Sequence, residues 1–100
     1  MQVHMSTDNF LKCVVDDNRK KIILFLGKKE HSVTAIVKKL KLEQSLVSHH
    51  LNKLRCCGLV KTKQVGKNIV YSLADQEIYT ILKKVEDLSK KLKVKAECCK

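Results

Sequence analysis

Leu46-Val47-Ser48-His49-His50-Leu51-Asn52-Lys53-Leu54-Arg55-Cys56-Cys57-Gly58-Leu59-Val60 is the stretch on which the fold of this chain turns. Val47, Leu51 and Leu54 recur at helical spacing, and Gly58 stops the helix where the period changes. The helix is expected over residues 43–57. At about 100° per residue, Ser45, Ser48, His49 and Asn52 fall away from the apolar stripe. Gln44 lies nearer the stripe, but in the first turn, where a long side chain still reaches outward. His50 groups with Val47 and Leu54, which predicts a partly buried imidazole that packs or bonds locally. The outward face is short and polar, and it holds no acid beyond Glu43.

Downstream, residues 59–64 and 68–73 are β-rich. In the second run Ile69, Tyr71 and Leu73 alternate with Asn68, Val70 and Ser72. Val65-Gly66-Lys67 supplies the turn, with Gly66 able to take a positive φ. A last helix follows over residues 75–95, with Ile78, Ile81, Leu82, Val85, Leu88 and Leu92 on one side. That stripe is long for so small a domain, which predicts burial against a second copy. Phe10, Leu11 and Val14 of the first helix join it as candidate interface residues.

Upstream, residues 8–40 read as three short helices. The first carries Phe10, Leu11, Val14 and Val15. Asp16, Asp17 and Asn18 offer a cap for the second, which Gly27 closes. Ser32 caps the third, whose stripe is Val33, Ile36, Val37 and Leu40. Two short helices joined by a tight turn form a helix-turn-helix, and a hairpin directly after it forms a wing. The expected fold is mainly α with a small β-hairpin (α+β), ordered α-α-α-α-β-β-α, as one domain over residues 1–100.

The net charge is +11 over 100 residues. Nine cations against five anions in residues 1–50 give +4, and twelve against five in residues 51–100 give +7. Such an excess favours a polyanionic partner, nucleic acid before acidic lipid. On the recognition face, Gln44 and Asn52 suit adenine edges, and Ser45 and Ser48 suit bases or phosphates. His49 is favoured over His50 for DNA contact. Lys61, Lys63, Lys67 and Asn68 in the wing, with Lys53 and Arg55, make a phosphate footprint. The lysines of the last helix read as a solvated outer face.

No apolar run reaches the roughly 18 residues of a membrane span, and Met1 to Asn9 lack the layout of a signal peptide. A cytoplasmic protein is expected, with no membrane partner. The chain lacks a Gly-rich phosphate loop, a paired-carboxylate signature and a nucleophile-base set, so no enzyme is read. With four aromatic residues, RNA recognition by base stacking is disfavoured. The five cysteines are Cys13, Cys56, Cys57, Cys98 and Cys99. An intracellular setting argues against a disulfide framework.

The quoted stretch resembles the signature of the ArsR/SmtB family of winged-helix repressors: Val-Ser-His-His-Leu, then Leu-Arg-x-x-Gly-Leu-Val. Asp16-Asp17-Asn18-Arg19 stands where members commonly carry Asp-Pro-Thr-Arg. Val70-Tyr71-Ser72-Leu73-Ala74-Asp75 is similar to the family's second wing strand and helix start. The resemblance covers residues 10–92. It implies a homodimeric repressor of double-stranded DNA that releases its operator on induction. A winged helix that binds protein instead is the alternative, and it would show acidic or large apolar residues on the recognition face.

Departures from the family pattern bear on the effector. Glu43 stands where members cap the recognition helix with Ser or Thr. Ser32 and Thr34 occupy the places of the family's Cys-x-Cys metal ligands. In the last helix Asp75 matches a zinc ligand, but Glu77, Leu88 and Lys91 replace the others. Soft ions prefer sulfur and nitrogen, so both sites are lost. The vicinal pairs Cys56-Cys57 and Cys98-Cys99 remain as candidate soft-metal, arsenite or thiol-redox sites. Small residues, often Ala, stand at the family positions of Cys13 and Cys57, so the resemblance also implies that these two are core fillers.

Overall fold

A computed structural model describes residues 5–92. The elements are α1 (Thr7–Val14), α2 (Asp17–Leu26), β1 (His31–Ser32), α3 (Val33–Leu40), α4 (Gln44–Cys56), β2 (Val60–Val65), β3 (Asn68–Leu73) and α5 (Gln76–Lys91). Caps set most boundaries. The Asp16 carboxylate accepts from the Asn18 and Arg19 N–H groups at 2.9 and 3.1 Å, starting α2. Ser32 Oγ accepts from the Ala35 N–H at 3.2 Å and starts α3. Gly27 closes α2 at φ +46°, where a side chain would be strained.

The end of α4 follows from Gly58, which sits at φ +79°. Its N–H bonds the Arg55 carbonyl at 3.0 Å, and the Leu59 N–H reaches back to Leu54 at 2.9 Å. This paired arrangement satisfies carbonyls that the helix leaves open, and it brings Leu54 and Leu59, both buried, to one side of the turn. The chain is thereby aimed straight into β2.

The sheet is antiparallel in the order β1-β3-β2. β2 and β3 form the expected hairpin, with Val60 opposite Leu73 and Val65 opposite Asn68. Gly66, at φ +61°, takes the first of two central turn positions, the place a type II′ hairpin reserves for glycine. β1 was not anticipated. His31 and Ser32 pair with Tyr71 and Val70, an edge strand of two residues that no periodicity could announce.

Ile22, Ile23, Leu26, Ile36, Val47, Leu51 and Leu54 are fully buried and form the core where α2, α3 and α4 meet. Each such side chain contributes about 1.5–3 kcal/mol by leaving water. α2 is central and packs against α1, α3, α4, α5 and β3. A bond between Cys13 and Cys57 ties α1 to the end of α4 across 44 residues of sequence. This corrects the expectation that no disulfide forms: two residues read as separate core fillers meet because α1 lies over the end of α4.

Candidate nucleic-acid interface

α3 and α4 are joined by Lys41, Leu42 and Glu43. Lys41 takes a left-handed conformation at φ 57°, and its N–H bonds the Val37 carbonyl at 2.9 Å. A non-glycine residue there costs about 1 kcal/mol, yet it turns the chain sharply enough to set α4 across α3. Glu43 occupies the N-cap position and makes no side-chain cap bond. The first N–H groups of α4 therefore lack the side-chain acceptor that Ser or Thr would supply.

Val47, His50, Leu51 and Leu54 face the core. Gln44, Ser45, Ser48, His49 and Asn52 are all exposed, and no carboxylate lies within α4. Lys53 and Arg55 extend the exposed surface toward the end of the helix. The wing continues it: Lys61, Lys63, Lys67 and Asn68 are exposed, as are all of residues 61–69. Lys61 stands opposite Ser72 and Lys63 opposite Val70. Ile69, expected on the inner side of the strand, is exposed because the wing tip extends past the core.

His50, 7% exposed, is the one buried polar side chain among the described residues. Its Nε2 lies 3.7 Å from the Asp16 carboxylate, too far for a hydrogen bond, and its Nδ1 has no partner. Burial lowers its pKa below the ordinary imidazole value; Asp16 opposes this, and Arg19 and His49 add to it. The imidazole is thus neutral at pH 7, and the contact is not an ion pair. The pKa of Asp16 is lowered too: burial alone would raise it, but the Arg19 and Asn18 N–H groups and the charges of His50 and Arg19 prevail.

A second surface is apolar. Leu11 and Val15 of the N-terminal region and Ile81, Val85, Leu88 and Leu92 at the C-terminal end are exposed, Val85 by 51% and Leu88 by 55%. Between α1 and α5 a groove of about 380 Å³ is lined by Phe10, Leu11, Val14, Ile81, Leu82 and Val85, among others. Val14, Ile78 and Leu82, expected at the interface, are already buried within the protomer and back this surface. Val15, one residue past α1, is 69% exposed and also lines the groove.

The cysteines are arranged differently from the sequence pairing. Cys57 is bonded to Cys13, while Cys56 is exposed and unbonded among the described residues. Cys98 and Cys99 lie outside the described residues. Asp75, the one match to the family's zinc ligands in α5, caps that helix by accepting from the Glu77 N–H at 2.9 Å. Among the described residues no three His, Cys, Asp or Glu side chains are placed to hold a metal, and no helix is long and apolar enough to cross a membrane.

The model of the bacterial regulatory protein arsR family matches residues 16–62. The transcriptional activator HlyU of Vibrio cholerae is 33% identical over 72 residues, covering 72% of this chain and 67% of HlyU. A transcriptional repressor SmtB homolog of Synechocystis sp. is 35% identical over 78 residues, 78% of this chain. The chain spans 59% of that relative's length. The crystal structure of the transcriptional repressor PagR of Bacillus anthracis superposes with a TM-score of 0.71 at 37% identity, covering 78% of this chain and 90% of PagR.

Proposed function

The chain belongs to the arsR family of bacterial regulatory proteins, DNA-binding transcriptional regulators of the winged helix-turn-helix type, and from that premise we propose that it is a non-enzymatic cytoplasmic repressor that binds an inverted-repeat operator as a homodimer. The observation that carries this reading is the exposed, acid-free polar face of α4 running into a lysine-bearing wing. Gln44, Ser45, Ser48, His49 and Asn52 read base edges in the major groove. Lys53, Arg55, Lys61, Lys63, Lys67 and Asn68 hold phosphates on either side. Two copies meet through the apolar faces of α1 and α5. Their recognition helices then lie about 34 Å apart, one turn of DNA.

Metal sensing at the family's positions is not supported, because Ser32, Thr34, Glu77, Leu88 and Lys91 supply no suitable set of donors. Cys57 is bonded to Cys13 and in that state has no thiolate to offer, so a soft-metal or arsenite reading would rest on Cys56, Cys98 and Cys99.

The test is an anisotropy titration of the full chain with promoter DNA of its own operon across a range of salt. Tight binding with a steep salt dependence is expected. Lys63→Ala and Lys67→Ala should each lower that slope by about one. Absence of specific binding at any salt would turn the assignment to a protein-binding winged helix.

A further inference from the structure

The Cys13–Cys57 bond lies in a cleft of about 560 Å³ between α1 and the end of α4. Lys12, Arg19 and Lys53 line that cleft with the three cysteines, and no carboxylate does. None of these cations forms an ion pair among the described residues, and Arg19 Nε is buried with no hydrogen-bond partner. A cleft of this size suits a small molecule, and a lining that holds three cations and no carboxylate, with Asp16 outside it acting on Arg19 alone, selects an anion. The sulfur chemistry at its wall and the charge around it therefore point to one class of reactant.

We propose that Cys13 and Cys57 are a thiol–disulfide exchange site for small disulfides bearing carboxylates, and that its state controls the affinity of α4 for DNA. Starting from both thiols, the Cys57 thiolate, the less buried of the two, attacks one sulfur of the reactant disulfide RSSR. The reactant S–S bond breaks, a Cys57–SR bond forms, and the first RS⁻ leaves. The Cys13 thiolate then attacks Cys57 Sγ and expels the second RS⁻. Two electrons pass from the protein to the reactant, and the two thiol protons end on two molecules of RSH. An anionic thiol runs the same steps in reverse.

Control of DNA affinity rests on the reading of α4 as the recognition helix. The bond joins that helix to α1, which Phe10, Cys13 and Val14 anchor to the body of the domain. Its reduction removes the covalent tie between the helix that faces DNA and one that forms part of the apolar face.

The experiment treats the fully reduced chain with glutathione disulfide or with the uncharged hydroxyethyl disulfide. Quenched samples are mapped by tryptic peptides and tandem mass spectrometry. The peptide pair joined through Cys13 and Cys57 should form about tenfold faster with the anionic reagent, and Lys12→Gln should reduce that preference. Equal rates for the two reagents, or the absence of that peptide pair, would overturn the exchange site. Operator affinity of the oxidised chain should exceed that of the reduced chain by about fivefold or more, and Cys13→Ser should behave as the reduced chain under both conditions. Equal affinities would overturn the control. If neither form binds the operator, the function proposed above fails, and the peptide mapping still decides the exchange chemistry.

Discussion

α4 and α5 each bury one stripe in the core and leave the rest of their surface in water. On α4 Val47, Leu51 and Leu54 are buried, Leu46 is half-buried, and what remains outside is hydroxyl, amide, imidazole, cation and the Cys56 thiol. On α5 Ile78 and Leu82 fill the inward stripe, yet Ile81, Val85 and Leu88 stay outside with the lysines. A polar face is stable in water and can wait for a partner that comes and goes. An apolar face of this extent is the kind that a lasting partner covers, as the proposed dimer would cover it. On the function proposed above, one helix serves a transient contact and the other a permanent one.

The sharpest way to break that contrast is to charge the apolar face. Ile81→Glu combined with Val85→Glu should raise the dimer dissociation constant by about 100-fold or more, read by sedimentation. Unfolding of the monomer should change by only about 0.5 kcal/mol, because neither side chain is in the core. A wild-type chain that is monomeric at every concentration would remove the contrast altogether. On the polar side, Ser48→Ala with His49→Ala should weaken operator binding by about 10- to 100-fold while the dimer stays intact. Unchanged affinity would show that α4's outer face is solvated surface only.

The smallest effect concerns the seam between the two. The pKa of His50 is lowered in the folded chain from its ordinary 6.5. Between the folded and unfolded values the unfolded chain binds more protons, so this contribution is intact above 6.5 and is lost as pH falls through the folded value. Asp16, lowered from 3.8, acts in the same sense at more acid pH. The melting temperature should therefore decline on acidification below about 6.5, and His50→Gln should flatten the first part of that decline. A melting temperature that rises on acidification through this range would contradict the buried neutral imidazole.

Much of this architecture was legible because its determinants are local. Asp16, Ser32, Gly27, Gly58 and Gly66 each act within a few residues of their own position, and the helices and hairpin follow from them. The exposed face of α4 was legible for the same reason, since helical spacing alone separates Ser48 and His49 from Val47 and Leu51. What was not legible is what depends on distant partners. β1 exists only because Tyr71 and Val70 lie beside it. The Cys13–Cys57 bond joins residues whose meeting is decided by how α1 packs on α4. Adjacency misled in the case of Cys56 and Cys57: neighbours on a helix point about 100° apart, and although both border the cleft beside α1, only Cys57 meets Cys13.

One feature at the far end of α2 bears on how the two faces work together. Gln76 Nε2 donates to the Gly27 carbonyl at 3.0 Å, and Tyr79 lies so close over Gly27 that a Cβ there would touch its ring at 3.7 Å. The start of α5 is thus clamped to the end of α2, and α2 in turn lies against α4. α5 cannot roll on its axis without carrying the wall on which α4 rests. In the proposed dimer the domain would be one arm of a caliper: the pivot is set where the two α5 helices would meet, and the opening is read as the distance between two jaws placed to touch DNA. A small change of tilt at the pivot becomes a larger change of span at the jaws.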